Sequence, residues 1–136
     1  MSDEITQKLK DLTARNLARK EEGERTGKMF WAVFTRWAEG VNKDEAPLDD
    51  HLTYQLMLEE TGVMFAAGGL TDGSTGERAG GLIVIRAPSY EHAIAIATDD
   101  PMHKSGFRHF EIYRWRMNEG NIRFSLNLSS GQAEIE

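Results

Sequence analysis

The sequence contains no cysteine. That excludes a disulfide framework, a thiolate nucleophile and any cysteine-based metal centre. Proline is scarce, at three residues, so Pro47, Pro88 and Pro101 each read as a deliberate break in the chain. No apolar run approaches the roughly 20 residues of a membrane-spanning helix. The opening Met1-Ser2-Asp3-Glu4 starts no apolar secretion signal, so a cytoplasmic location is expected. Positive charge is also short. Lysine and arginine total 16 against 22 aspartate and glutamate, a net charge of -6, which is the wrong sign for sequence-independent nucleic-acid binding. Neither nucleic acid nor a membrane is expected as a partner.

What remains is a globular composition. In 136 residues, 40% are hydrophobic and 28% charged, enough apolar material for one core of ordinary size. Residues 1–28 read as a helical extension and linker, 29–128 as an α+β domain, and 129–136 as a loose polar tail.

Residues 2–22 place Ile5, Leu9 and Leu12 on one helical stripe, with Ser2 or Asp3 as caps. Gly23 and Gly27 mark the linker over 23–28. Met29 to Trp37 predicts a strand apolar on both sides: Met29, Trp31, Val33 and Trp37 on one, Phe30, Ala32 and Phe34 on the other. After a loop over 38–49, Asp49 or Asp50 is positioned to cap a helix over 51–61. In that helix Leu52 and Leu56 are expected to face inward, beside Met57 or Leu58, and Gly62 stands where a helix-ending glycine belongs. Residues 63–70 predict a second strand ending in Gly68-Gly69, 71–79 a turn-rich loop, and 80–86 a third strand apolar on both faces. Ser89 caps a second helix, Ala93, Ile96 and Ala97 face the core, and Pro101 ends it. Arg108 to Arg116 is a fourth strand. Beyond a turn at 117–121, Ile122, Phe124, Leu126 and Leu128 alternate with polar residues, which predicts a strand buried on one face, at an edge.

The order β-α-β-β-α-β over 29–116 is the split βαβ pattern of ferredoxin-like domains. Such a domain carries both helices on one face of an antiparallel sheet. Its first three strands are apolar on both faces, so the uncovered face would be a large exposed patch. A second copy of the chain, packed face to face, is the simplest cover, and a homodimer is expected on that ground.

The stretches Asp50-His51-Leu52, Glu60-Thr61-Gly62-Val63, Ala66-Ala67-Gly68-Gly69-Leu70 and Asp99-Asp100-Pro101 with Gly106 together resemble the YCII-related (YciI-like) family. The match runs from about Met29 to Trp115. It implies a dimeric α+β barrel, with a helix opened by histidine and a pocket beside the sheet holding a His–Asp pair. By position these residues are His51 and Asp100. Gly69 stands where the family usually has proline, and Met102 where it has an aromatic. The N-terminal helix and C-terminal strand are additions to the pattern. A few relatives resemble enzymes that act on small aromatic-degradation intermediates by elimination or isomerisation.

That resemblance gives His51 and Asp100 a chemical sense. Imidazole exchanges protons near neutral pH, and a carboxylate on its second nitrogen fixes the tautomer and stabilises the cation. The expected activity is that of a cofactor-independent lyase or isomerase on a small acid, with aromatic-derived acids among the candidates. The competing expectations are a non-catalytic small-molecule binder and an accessory dimer module. Haem-free oxygenation, known in other dimeric α+β barrels, would show itself by oxygen uptake with a quinol-like substrate. Gly68 and Gly69 either admit a ligand close to the backbone or simply end a strand. Arg86 and Arg114 read as surface strand residues, although arginine's fork suits a substrate carboxylate and Arg114 is the candidate. Trp31, Trp37, Tyr54, Tyr113 and Trp115 read as core or interface residues, with Trp31 the candidate pocket wall. No metal site is expected, since His103 and His109 follow no recognised ligand spacing. The run Asp72-Gly73-Ser74-Thr75-Gly76 lacks the lysine and helix of a phosphate loop.

Overall fold

Four strands and two main helices arise close to where the hydrophobic pattern places them. The structure, a computed structural model, describes the backbone of residues 2–21 and 28–136 and the side chains of 2–14 and 28–136. The linker expected over 23–28 lies outside the described residues, except for Lys28, which already belongs to a strand.

The unit spanning Met29–Arg116 contains nearly all of β1 (Lys28–Trp37), then α2 (Leu48–Glu60), β2 (Met64–Thr71), β3 (Arg78–Ile85), α3 (Tyr90–Thr98), a one-turn helix α4 (Pro101–Lys104) and β4 (Arg108–Met117). A 3₁₀ turn at Lys43–Glu45 precedes α2. The sheet order is β2-β3-β1-β4, as the split βαβ pattern requires. In register, Val33 faces Ile83 and Trp31 faces Ile85 across β1–β3, while Ala67 faces Ile83 and Gly69 faces Gly81 across β2–β3. On the helix side, Val33, Ile83 and Ile85 pack with Ala93 and Ala97 of α3, and Phe110 and Ile112 join them from β4. The α3 residues expected in the core are there because Ser89 caps that helix, its hydroxyl accepting from the His92 N–H at 3.2 Å, which sets the phase of the following turns.

Three local expectations are corrected. First, α2 begins three residues earlier than the aspartate cap predicts. Pro47 is its N-cap, with no side-chain cap bond, and the Pro47 carbonyl accepts from the His51 N–H at 3.0 Å. Asp49 and Asp50 therefore sit in the first turn, where the helix dipole favours carboxylates. Second, Leu52 and Leu56 do not enter the core: they are 50% and 59% exposed, and Leu58 is the buried leucine. Opposite them the sheet carries the row Gly69, Gly81, Thr35, which offers almost no side chain to pack against. Third, the C-terminal strand is not an edge of this sheet. It is β5 (Phe124–Leu126), paired antiparallel with β6 (Ala133–Ile135), in a separate two-stranded sheet. The Asn127 N–H donates to the Gln132 carbonyl at 2.9 Å, so the tail expected to be loose turns back as a hairpin. Leu128 follows the short strand and is 91% exposed.

The other unit comprises residues 1–28 and 117–136. It carries α1 (Asp3–Glu21) and the β5–β6 hairpin. The stripe of Ile5, Leu9 and Leu12 on α1 is exposed.

The sheet face away from the helices is less bare than the strand pattern suggests. Phe30 is 4% exposed in a single chain. The rings of Phe65 and Trp115 lie 4.6 and 5.9 Å from it, and the Arg86 guanidinium lies 5.6 Å over it. Part of the apolar cover is thus supplied by the chain's own aromatic and cationic side chains. Among the described residues, no helix is long and apolar enough to cross a membrane.

Candidate functional site

A glycine row in a sheet leaves space, and here a helix lies over that space. The cleft, of about 390 Å³, lies between α2 and the β1–β3–β2 part of the sheet. Leu48, Leu52 and Leu56, spaced four residues apart on α2, form one wall, and Gly68, Gly69 and Gly81 form the floor. Spacing of four places those leucines on one helix face.

His51 and Gln55 share the next stripe of α2, also four apart, and both reach one carboxylate. His51 Nδ1 lies 2.8 Å from Asp100 Oδ1 and 2.9 Å from Oδ2. The Gln55 amide donates to Asp100 Oδ2 at 2.9 Å. The Met102 N–H donates to Asp100 Oδ1, also at 2.9 Å, because Asp100 is the N-cap of α4 with Pro101 at its first position. The same side chain therefore caps a turn and grips an imidazole. Asp100 is 1% exposed, and no buried side-chain nitrogen or oxygen among the described residues lacks a hydrogen-bond partner.

Burial pushes the Asp100 carboxyl up. The His51 and Met102 hydrogen bonds and the charge of the neighbouring imidazoles outweigh it, and hold the group below the ordinary carboxylate range. An ionised carboxylate has no proton to give, so the proton between the pair sits on His51 Nδ1, and Nε2 is the nitrogen free to exchange a proton with a ligand. The His51 side chain is 12% exposed and lines the cleft.

A second histidine lies behind the first. His103 Nδ1 donates to the Ala97 carbonyl at 2.7 Å, and Nε2 accepts from the Thr35 hydroxyl at 2.8 Å. Burial lowers its pKa against the Ala97 hydrogen bond and the charge of Asp100, and the smaller effects of His51 and Arg108 add to the lowering. Both ring nitrogens are thus used in a neutral ring. Among the described residues, no three His, Asp or Glu side chains converge as a metal-ligand set. Tyr54, on the core side of α2, donates to the Ile96 carbonyl at 2.6 Å. Burial, then the negative charges of Asp99 and Asp100, push its hydroxyl up to about 12.

Of the residues singled out in the sequence, the fold brings His51, Asp100, Gly68 and Gly69 together. It does not bring Trp31 or Arg114 to the cleft, and both are corrected. Trp31 lies four residues back along β1 from Thr35, roughly 13 Å at the rise of a strand. Its indole N–H donates to the Ala87 carbonyl at 3.1 Å, and Arg114 stacks over its ring at 5.7 Å. The cleft's own cations are Arg78 and Arg108. Sequence reasoning does not find Gln55, which bonds to the pair, or the Thr35–His103 hydrogen bond beside it. Gln55 was findable, since it lies one helical turn after His51 on the same face.

Acid should weaken the fold in two stages. His103 and Asp100 both have folded-state pKa values below their unfolded ones. In each case the unfolded chain binds the proton first, so stability falls as pH falls. The first stage begins below about pH 6.5, the ordinary histidine value, and the second below about pH 4. Urea midpoints measured across pH should show both stages, and His103→Gln should remove the first. A midpoint flat between pH 7 and 5 in the unmodified protein would contradict this.

The fold and pair define a ferredoxin-like α+β domain with an open cleft beside a His–Asp couple. Residues 29–116 match the model of the YCII-related domain, and the chain belongs to that family. No functionally curated protein is significantly similar in sequence. Among solved structures, the chain is similar to the 5-chloro-2-hydroxyhydroquinone dehydrochlorinase of Burkholderia phenoliruptrix AC1100, in complex with 2,5-dihydroxybenzoquinone, at 17% identity and a TM-score of 0.49, over 63% of this chain and 92% of that one. At that identity and score, neither substrate nor mechanism transfers.

Proposed function

We propose that the protein is a cofactor-independent lyase or isomerase acting on a small acid, aromatic-derived acids among the candidates. The observation that carries this reading is the buried, ionised Asp100 held on Nδ1 of a histidine whose ring edge lines an open cleft. His51 Nε2 takes a proton from a carbon beside a carbonyl or from a hydroxyl, and returns it at a neighbouring atom or retains it as a leaving group departs. Asp100 stabilises the imidazolium formed in between. Gln55 and the Met102 N–H keep the carboxylate from turning away. The leucine wall and glycine floor hold a flat apolar body and limit water around the reacting carbon. General acid–base help of this kind is worth about 10²–10⁴-fold.

A panel of small cyclic and aromatic acids, screened by ultraviolet absorbance and proton release, tests this. His51→Ala should remove turnover of any active compound even well below its own melting temperature, which should fall because the buried Asp100 loses a donor. A variant that binds more weakly but turns over at the parental rate would leave only a binding role. A variant changed in melting alone would leave only a structural one.

The working unit in this reading is a cytoplasmic homodimer joined through the outer sheet face. Tyr113 and Trp115, 55% and 39% exposed on that face, support it, because large aromatics left half open are enriched at interfaces. Sedimentation should give twice the chain mass, and Trp115→Glu should shift it toward the single mass. A parent sedimenting as a monomer at micromolar concentration would reject the dimer.

A further inference from the structure

The cleft holds two guanidiniums that the His–Asp chemistry does not use. Arg78 opens β3, Arg108 opens β4, and both line the cleft with His51. Arg108 is held in place by stacking: its guanidinium carbon lies 4.4 Å from the Trp37 ring centroid. Among the described residues, the one ion pair is His51–Asp100, so neither arginine is neutralised by a carboxylate within that set. Two like charges brought near each other, one of them half-buried, are costly unless something negative joins them.

We propose that Arg108, assisted by Arg78, recognises the carboxylate of the ligand, and that the cleft selects flat, mainly apolar acids over their neutral counterparts. This rests on the reading of the cleft as a site for a small acid and names the residues that make it so. A guanidinium offers a planar fork that matches the two oxygens of a carboxylate. Stacking on Trp37 removes much of the side chain's freedom in advance, so little is lost when the anion arrives. Burial lowers the Arg108 pKa; Asp100 opposes that shift, and the smaller like-charge effect of Arg78 adds to it. A bound anion reverses that strain. The three leucines and the glycine floor have no polar side chain to offer, which fits an apolar body behind the charged head. Glu59 also lines the cleft, two helical turns along α2 from His51, roughly 12 Å at the helical rise. Arg108 lies instead at the His–Asp end, where its charge couples to Asp100 and His103.

The test uses benzoate and its neutral isostere benzamide, titrated into the whole protein and followed by ¹H–¹⁵N spectra. Benzoate should move the amides of Gly68, Gly69 and Gly81, and benzamide should bind at least about tenfold more weakly, the margin expected when a charged fork loses its carboxylate. Arg108→Gln should weaken benzoate by a similar factor, with Arg108→Lys intermediate because it keeps the charge and loses the fork. Arg114→Gln, outside the cleft, should change nothing. If Arg108→Gln fails to fold for want of its Trp37 contact, Arg78→Gln, which lacks that stacking, decides the point by the same reading. Equal affinity for the two probes, benzoate shifts away from the glycine floor, no benzoate binding, or arginine variants that bind like the parent would each overturn the proposal. A His51→Asn protein that binds benzoate normally and loses no turnover would instead sink the acid–base reading and leave this one standing.

Discussion

Replacing Asp100 by alanine is expected to lower stability by about 3–5 kcal/mol, the range found when one member of a buried pair is removed. Three donors lose their acceptor at once: His51 Nδ1, the Gln55 amide and the Met102 N–H. The Met102 share is a helix-cap loss, worth about 1 kcal/mol. The remainder is the cost of polar groups left unpaired in a site that is 1% open to solvent. Asp100→Asn is the informative companion. It keeps the shape and one acceptor oxygen, so it should retain most of the stability in urea titration. It removes the negative charge that steadies a protonated His51, so turnover should fall by about 10²–10⁴-fold. Equal stability losses for alanine and asparagine would mean that the charge, rather than the hydrogen-bond set, holds α2 to α4.

The second large effect is at Gly80. Its φ is +118°, and an added Cβ would stand 2.3 Å from the Thr35 carbonyl oxygen. That contact is backbone, which cannot swing aside as a side chain can. Gly80→Ala should cost about 2–6 kcal/mol, combining an unfavourable φ with overpacking. Gly81→Ala meets the Thr35 methyl at 3.0 Å, where a shift of a few tenths of an ångström relieves it, so its cost should be clearly smaller. Gly68→Ala meets nothing within 4 Å and should be nearly neutral for stability. Urea midpoints should fall in that order, and Gly80→Ala within 1 kcal/mol of the parent (the scale of an ordinary point mutation) would contradict the tight β1–β3 approach that forms the cleft floor.

The parts of this molecule legible in the sequence are those set by local chemistry. Continuous apolar runs gave β1 and β3, Ser89 and Pro101 bounded α3, and Gly62, at φ +76°, ended α2. The pairing of His51 with Asp100 came from the family pattern, since residues 49 apart carry no mutual periodicity. Leu52 and Leu56 were misplaced because helical spacing says which residues share a face, not whether the opposing surface has side chains to fill it. Here that surface is a glycine row, visible only once the β1–β3–β2 register is known. The β5–β6 hairpin was missed for a related reason. Strict alternation identifies a strand, but the choice of partner strand is a tertiary matter. In the sequence Arg108 only begins the fourth strand; its place beside Trp37 and the cleft is tertiary.

The most direct measurement of the central claim is the tautomer of His51, read from long-range ¹H–¹⁵N correlations of the imidazole in alkaline solution. The account predicts the proton on Nδ1, donated to Asp100, with Nε2 bare toward the cleft. A ring with Nε2 protonated and Nδ1 bare would leave no basic nitrogen facing a ligand and would contradict it.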